Sequence, residues 1–198
     1  TWSGETRAPL TNQLVYPRTA SGSIRTWVGV GGSPQSVVRA ARYELPLMLA
    51  IIGGDPMRFA PLVELYHRAT DELGAARNLV GVHSPGYVAD TDEQALEEYF
   101  PHYKAMHDRI GAERGWPPLT RNQLLLGAGP DGALFVGSPD TVAEKIARVA
   151  GGLGLDRFDL KYSAGTLPHP QMMRTIELYA TKVAPQVRER LADRAVTG

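Results

Sequence analysis

The sequence lacks several features that would assign it to a class of protein at once. It contains no cysteine, which excludes disulfides, thiolate metal ligands and a cysteine nucleophile. Its 198 residues carry no net charge and no long run of like charges, so we expect no nucleic-acid partner. No apolar stretch approaches the roughly 18 residues of a membrane span. We therefore expect a cytoplasmic protein with no membrane partner.

Familiar catalytic motifs are also missing. The five histidines form no H-E-x-x-H pattern, so no metal site is predicted. No serine lies in G-x-S-x-G, since Lys161 precedes Ser163 where the first glycine belongs. No lysine follows a glycine, which rules out the common nucleotide-binding loop. The catalytic residues stay unassigned, as is typical of enzymes whose cofactor performs the chemistry.

The chain begins at Thr1 without a methionine or a signal-like segment, and we expect this start to be a cut rather than a natural N-terminus. Residues 1–23 show no sustained period and are predicted to be an irregular lead-in. Residues 24–198 form the single domain that follows.

Within that domain, strands and helices alternate. The predicted strands are 24–30, 45–52, 78–89 and 157–165, with a short extended piece at 134–137. The predicted helices are 34–43, 56–73, 139–150 and 170–192, with a two-helix excursion over 91–115 that Pro101 breaks or kinks, and a loop over 116–133. Alternation of this kind indicates an α/β fold with parallel strands. Four strands suit either half of an eight-stranded β/α barrel or a small open sheet.

The last helix carries an apolar stripe that we predict to be core. Its members are Met172, Met173, Ile176, Tyr179, Ala180, Val183 and Val187. On the preceding strand, Asp159 and Lys161 share one face, and we interpret them as an internal ion pair.

The turn Gly31-Gly32-Ser33-Pro34 joins the first strand to its helix. Ser33 suits the N-cap and Pro34 the first helical position, while the glycines let a ligand approach the helix amides. Ser36 adds a hydroxyl in the first turn of the helix. The turn does not match a dinucleotide-binding fingerprint, because Pro34 stands where that motif has its third glycine. From the residues alone, a capped helix and a phosphate cradle both explain this turn.

The same tripeptide recurs at Gly137-Ser138-Pro139. There Asp140 already complements the helix dipole and would repel a phosphate, whereas the first turn has neutral Gln35 and Ser36, with Arg39 further on. The first turn is therefore the better candidate anion site.

Five segments, in order, resemble the C-terminal half of the luciferase-like, flavin-dependent monooxygenases. They are WVGVGGSPQSVVRAA, LPLMLAIIGG with RFAPLVELY, GYVADTDEQA, LFVGSPDTVAEKI and RFDLKYSAGTLPHPQMMRTIELY. The resemblance spans about residues 2–187 and implies the rear half of an eight-stranded β/α barrel. It also implies a flavin-dependent oxidoreductase that uses reduced FMN and oxygen on a small organic substrate.

The resemblance further implies where ligands bind. The flavin phosphate would lie at Gly31, Gly32, Ser33 and Ser36, and Ile51, Gly53 and Tyr162 would lie near the ring or substrate. Cofactor F420, in a dehydrogenase on the same barrel, is the alternative to FMN, and a non-catalytic flavin-binding half-barrel is a third possibility. The first half of the family's barrel, with its usual catalytic residue, has no counterpart here. We therefore expect pairing with that missing half or homo-oligomerisation.

Overall fold

The structure, a computed structural model, describes residues 1–197. Its strands are β1 (Val28–Val30), β2 (Leu47–Ala50), β3 (Val80–Val88), β4 (Phe135–Gly137) and β5 (Arg157–Lys161). Its helices are α1 (Pro34–Arg42), α2 (Ala60–Glu72), α3 (Asp92–Arg114), α4 (Arg121–Ala128), α5 (Pro139–Leu153), α6 (His169–Leu178) and α7 (Ala184–Thr197). A 3₁₀ turn, Pro56–Phe59, precedes α2, and a π-helical turn, Tyr179–Val183, joins α6 to α7.

The strands pair in parallel in the order β1-β2-β3-β5. The first part of β3 pairs with β5 over Gly81–Pro85, and its last three residues pair with the short β4. Parallel neighbours require crossover connections, which α1 and α2 supply between the first three strands. The prediction of a parallel α/β sheet that forms part of a barrel is confirmed.

The two faces of the sheet differ in what they contact. One face packs against the helices and forms the main core. The sheet residues on this face are each at most 1% exposed, and they are Val30, Leu47, Leu49, Val80, Val82 and, directly after β2, Ile51. The opposite face carries Trp27, Met48 and Gly81, and is the face that a closed barrel would enclose.

A second apolar cluster lies beside β3 and β4, under α3 and α4. It contains Tyr87, Tyr99, Leu119, Leu124 and Val136. This cluster fixes the segment between β3 and α5 over the carboxyl ends of the strands.

The excursion after β3 differs from its prediction, because α3 runs unbroken through Pro101. Proline removes one backbone donor but does not end the helix here. The rings of Tyr99 and Tyr103, on either side of Pro101, stack with centroids 5.1 Å apart, and Tyr99 also stacks on Tyr87 of β3. Packing of both flanking turns holds the helix together across the proline.

The region predicted as a loop over 116–133 contains α4. Thr120 caps it through the amide of Gln123, and the Gln123 side chain accepts from the amide of Thr120, which is a complete capping box. The T-x-x-Q pattern was present in the sequence, and the flanking prolines and glycines obscured it.

The apolar stripe of the last helix is only partly core. Val183 is buried, and Met172, Tyr179 and Val187 pack against the two apolar clusters, as predicted. Met173, Ile176 and Ala180 are exposed, and Ile176 and Ala180 line a groove of about 340 Å³ beside β5. Thr175 and Leu178 are buried although they lie outside the predicted stripe.

The predicted Asp159–Lys161 ion pair is wrong. Asp159 accepts from Nε of Arg157 at 2.7 Å, while Lys161 Nζ donates to the carbonyl of Ser163 at 2.9 Å. All three side chains alternate onto the same face, and the nearer guanidinium takes the carboxylate.

Residues 1–23 contain one isolated antiparallel bridge, between Trp2 and Leu10, and no helix or strand. Among the helices of residues 1–197, none combines the length and apolar character that crossing a membrane requires.

Candidate functional site

The first glycine turn joins β1 to α1 and is open on its outer side. Gly32 has φ +135°, a conformation that favours glycine, and a Cβ placed at Gly31 or Gly32 would meet no atom within 4 Å. Ser33 then caps α1, its Oγ accepting from the amide of Ser36 at 3.4 Å. The backbone can therefore be approached closely here.

Four polar side chains form two hydrogen-bonded pairs at the start of α1. Nη2 of Arg39 donates to Oγ of Ser36 at 2.8 Å, and Oγ of Ser33 contacts Oε1 of Gln35 at 3.0 Å. No acidic side chain lies in the first turn of this helix. The positive end of the helix dipole, two hydroxyls and one guanidinium thus form an electropositive cluster.

The second glycine turn, at the start of α5, holds an oxyanion supplied by the protein itself. The carboxylate of Asp92 accepts from the amide of Ser138 at 2.6 Å and from Oγ1 of Thr141 at 2.9 Å. A Cβ at Gly137 would lie 2.7 Å from Oδ1 of Asp92, so glycine is needed for this approach. A Ser-Pro-x-Thr turn in this chain therefore binds a carboxylate through one amide and one hydroxyl.

Burial and hydrogen bonding act in opposite directions on the pKa of Asp92. Burial alone would raise the pKa of this carboxyl, but the bonds from Ser138 and Thr141 hold its pKa below the usual value. The carboxylate stays ionised at neutral pH. Asp140, which the sequence suggested for this role, accepts instead from Nε2 of Gln186 at 2.7 Å.

The two turns match residue by residue. Ser33 corresponds to Ser138 and Ser36 to Thr141, and each serine caps its helix from extended backbone. In the first turn no carboxylate of residues 1–197 takes the position of Asp92, and Arg39 stands beside the hydroxyl instead. The first turn thus has the donors of an oxyanion site together with a cation.

The residues predicted near the ring or substrate lie in three different places. The side chain of Ile51 is fully buried on the helix side of the sheet, where Ser84 Oγ donates to its carbonyl. The Ile51 side chain is not among those that line the nearby large cavity, whereas its neighbour Ile52 is 62% exposed and lines that cavity with Gly53. Tyr162 lines the separate groove beside α6.

The large cavity, about 670 Å³, lies where β2, β3 and β5 end, and α3 and α4 form its roof. Its apolar wall includes Met106, Ile110, Leu119, Leu126 and Leu134. Its aromatic wall is Tyr103, His107 and Trp116, whose rings follow one another with centroids 6.4 and 5.5 Å apart. Both this cavity and the first glycine turn lie at the carboxyl ends of parallel strands, where α/β proteins bind ligands.

The cavity wall on α3 was missed by sequence reasoning. Tyr99, Tyr103 and His107 recur every fourth residue and share one helix face, but the predicted break at Pro101 would place Tyr99 on a different helix from the other two. Had residues 92–114 been taken as one helix, this spacing would have indicated an aromatic face.

Lys145 of α5 holds the roof in place. Its ammonium is buried, only 6% exposed as a residue, and donates to the carbonyls of Gly129 at 2.6 Å and Leu134 at 2.7 Å, with longer contacts to Gly127 and Ala128. These carbonyls include the C-terminal end of α4. Burial lowers the pKa of Lys145 to about 8. The lysine is a positioning residue for the segment that covers the cavity.

Among the residues described, no group of three or more acidic or histidine side chains could hold a metal ion.

The chain matches a known protein family. The family model of luciferase-like monooxygenases matches residues 1–157, which confirms the resemblance seen in the sequence. No curated protein matches the sequence significantly.

Several solved structures share the fold. Monooxygenase RslO1 from Streptomyces bottropensis aligns with a TM-score of 0.66 and 21% identity over 86% of this chain and 50% of its own. The oxygenating constituent of 3,6-diketocamphane monooxygenase from Pseudomonas putida, solved with FMN, aligns with a TM-score of 0.57 and 22% identity. This alignment covers 81% of this chain and 48% of that structure. The F420-dependent tetrahydromethanopterin reductase of Methanopyrus kandleri aligns with a TM-score of 0.55 and 16% identity. This alignment covers 81% of this chain and 50% of that structure. The chain thus spans about half the length of these structures.

Proposed function

Because this chain belongs to the luciferase-like monooxygenase family, we propose that it forms the flavin-binding rear half of a flavin-dependent monooxygenase. The whole enzyme would use reduced FMN and oxygen to oxidise a small organic substrate in the cytoplasm. The observation that carries the proposal is the pair of matched turns, of which one already binds a carboxylate.

The residues of the first turn fit a phosphate. By analogy with the second turn, the amide of Ser33 and the hydroxyl of Ser36 would donate to phosphate oxygens, and the Arg39 guanidinium would add a charged donor. The open space beside Gly31 and Gly32 leaves room for the group. Ser33 and Ser36 were proposed from the sequence, and Arg39 completes the set.

The remaining residues would shape the reaction space. A bound reduced flavin supplies the electrons for oxygen activation. The apolar and aromatic walls of the cavity would exclude water from the ring and the substrate, and Lys145 would keep the α4 roof closed over them.

The first test is Ser33→Asp in the full-length protein, because it places a fixed negative charge beside the phosphate. Asp also caps helices, so folding should survive. We expect FMN affinity, measured by calorimetry, to fall at least tenfold, about 1.4 kcal/mol. Thr91→Asp makes the same change at the N-cap of α3 and should leave FMN affinity unchanged. Unchanged affinity in Ser33→Asp would favour a helix cap without a ligand.

An F420-dependent dehydrogenase is the second candidate, since one structural neighbour is an F420-dependent reductase. The phosphate turn would serve either cofactor. Titration of the same protein with FMN and with F420 separates the two, and tight F420 binding with negligible FMN binding would exclude the monooxygenase.

We also propose that the other half of the family's barrel covers the open side of this chain. The groove beside β5 is lined mainly by apolar and aromatic residues, with Asp159 and Thr175 as its polar members; the others are Phe158, Leu160, Tyr162, Ile176, Tyr179 and Ala180. Such a surface along a strand edge suits a further parallel strand. An intact mass of the purified protein well above 21.5 kDa would support a longer parent chain.

A further inference from the structure

The large cavity has the composition of a site for a ring system. Tyr103, His107 and Trp116 form one continuous aromatic wall, and aliphatic side chains make up most of the rest. Its volume of about 670 Å³ lies within the usual range for small-molecule sites, roughly 300–1,000 Å³. Flat apolar ligands bind such walls by stacking and by burial of apolar area.

Most charged groups of the cavity already have partners. Asp55 accepts from the amide of Met57 at 2.9 Å, and Asp131 pairs with Arg148. The Arg114 guanidinium lies over the Trp116 ring at 5.3 Å.

Lys161, like Arg114, has no carboxylate partner among residues 1–197, but it is the more buried of these two cations. It ends β5 and reaches across to α3, where its Nζ lies 3.7 Å from the sulfur of Met106, and it donates to the carbonyl of Ser163. A half-buried ammonium between apolar walls is stabilised by a negatively charged oxygen close by.

We propose that the substrate of this site is an aromatic compound that carries an anionic oxygen, a carboxylate or a phenolate, and that Lys161 binds this oxygen while the rings lie against Tyr103 and Trp116. The proposal rests on the proposed function for the identity of the site as the substrate site. The binding chemistry, however, is a property of the cavity and is testable without turnover.

The test measures binding of 2-naphthoate and its neutral isostere 2-naphthamide to the flavin-free, full-length protein by calorimetry. We expect the parent to prefer the acid. Lys161→Met should weaken naphthoate binding at least tenfold, about 1.4 kcal/mol, and leave naphthamide binding unchanged. Lys161→Arg should retain the preference, because the charge is kept. Lys182→Met, at an exposed lysine, is the matched control and should resemble the parent.

Fluorescence locates the bound acid. Naphthoate should quench the fluorescence of Trp116, so the quench should disappear in Trp116→Phe although Trp2 and Trp27 remain. Equal naphthoate affinity in Lys161→Met and the parent would overturn the proposal. So would weaker binding of reduced FMN in Lys161→Met with naphthoate unaffected, since the ammonium would then serve the flavin.

Failure of the two proposals can be told apart. If Ser33→Asp leaves FMN affinity unchanged while naphthoate binding depends on Lys161, the phosphate site fails and the aromatic acid site stands. If instead Ser33→Asp weakens FMN binding and naphthoate binding does not depend on Lys161, the phosphate site stands and only the aromatic acid site is excluded.

Discussion

Removal of the Asp92 carboxylate is the sharpest test of how these glycine turns work. In Asp92→Ala the amide of Ser138 and the hydroxyl of Thr141 lose their shared acceptor, and the N-terminus of α5 loses a negative charge. Loss of a side-chain cap costs about 0.5–2 kcal/mol, and a charge at a helix N-terminus contributes about 0.3–1 kcal/mol. Asp92 is exposed to solvent, which weakens the charge effect, so we expect the free energy of unfolding to fall by about 2 kcal/mol in total. For a chain of this size, that loss corresponds to a drop in Tm of about 4–8 °C.

The assay is urea unfolding followed by circular dichroism, with Glu93→Ala as control. Glu93 is an exposed acid in the same first turn of α3, so its removal changes the charge of that turn without touching α5. We expect the free energy of unfolding of Glu93→Ala to differ from that of the parent by less than about 0.5 kcal/mol.

The pH dependence has a definite sign. Asp92 has its pKa lowered in the folded state, so its contribution is present above the unfolded value near 4 and is lost as pH falls through the folded value. The difference between the parent and Asp92→Ala should therefore shrink on acidification. Sulfate should also raise the Tm of Asp92→Ala more than that of the parent, because the freed turn can bind it. If Asp92→Ala is no less stable than Glu93→Ala, the carboxylate does not hold α5, and the analogy with the first turn loses its basis.

Three further substitutions, one of them a control, test the packing that supports the site. Gly86→Ala should destabilise by more than about 2 kcal/mol in urea unfolding, because its Cβ would lie 2.3 Å from the carbonyl oxygen of Phe135 and 2.4 Å from Cδ1 of Leu160. Gly29→Ala, where a Cβ meets no atom within 4 Å, should change stability by less than about 1 kcal/mol, and equal effects would contradict the packing described here. Lys145→Met should destabilise by about 1–3 kcal/mol, since the carbonyls that end α4 lose their buried donor. Hydrogen exchange in that variant should rise over residues 124–134 before other helices, and unchanged exchange there would refute the role of Lys145 in holding the roof.

The outline of the fold could be predicted from the sequence because its signals are local. The buried run at 45–52 and the strand at 78–89 appear as β2 and β3, and Ser33 with Pro34 begins α1 as its cap and first helical residue. Where prediction failed, a longer-range contact decided the outcome. Pro101 stays helical because Tyr99 and Tyr103 stack across it, and the ring of Tyr99 also stacks on Tyr87 of β3.

The candidate site likewise has one part that the local sequence predicts and another that depends on long-range contacts. The donors at Ser33 and Ser36 follow from the local sequence of a strand, a turn and a helix. The cavity does not, because its wall combines strand ends with helices that lie far apart in the chain, and the alternation of side chains decides that Ile52, and not Ile51, faces it.

The sequence by itself determined the alternation of strands and helices, the capped first turn and the likeness to a flavin-dependent family, since each depends on residues close together in the chain. Only the tertiary structure decided which carboxylate occupies the second turn. Asp92 lies 46 residues before Ser138 along the chain, and it meets that turn only because the parallel pairing of β3 with β4 places their carboxyl ends side by side. The pairing of β5 with β3 likewise places Lys161 in the cavity, where no carboxylate among the residues described pairs with it.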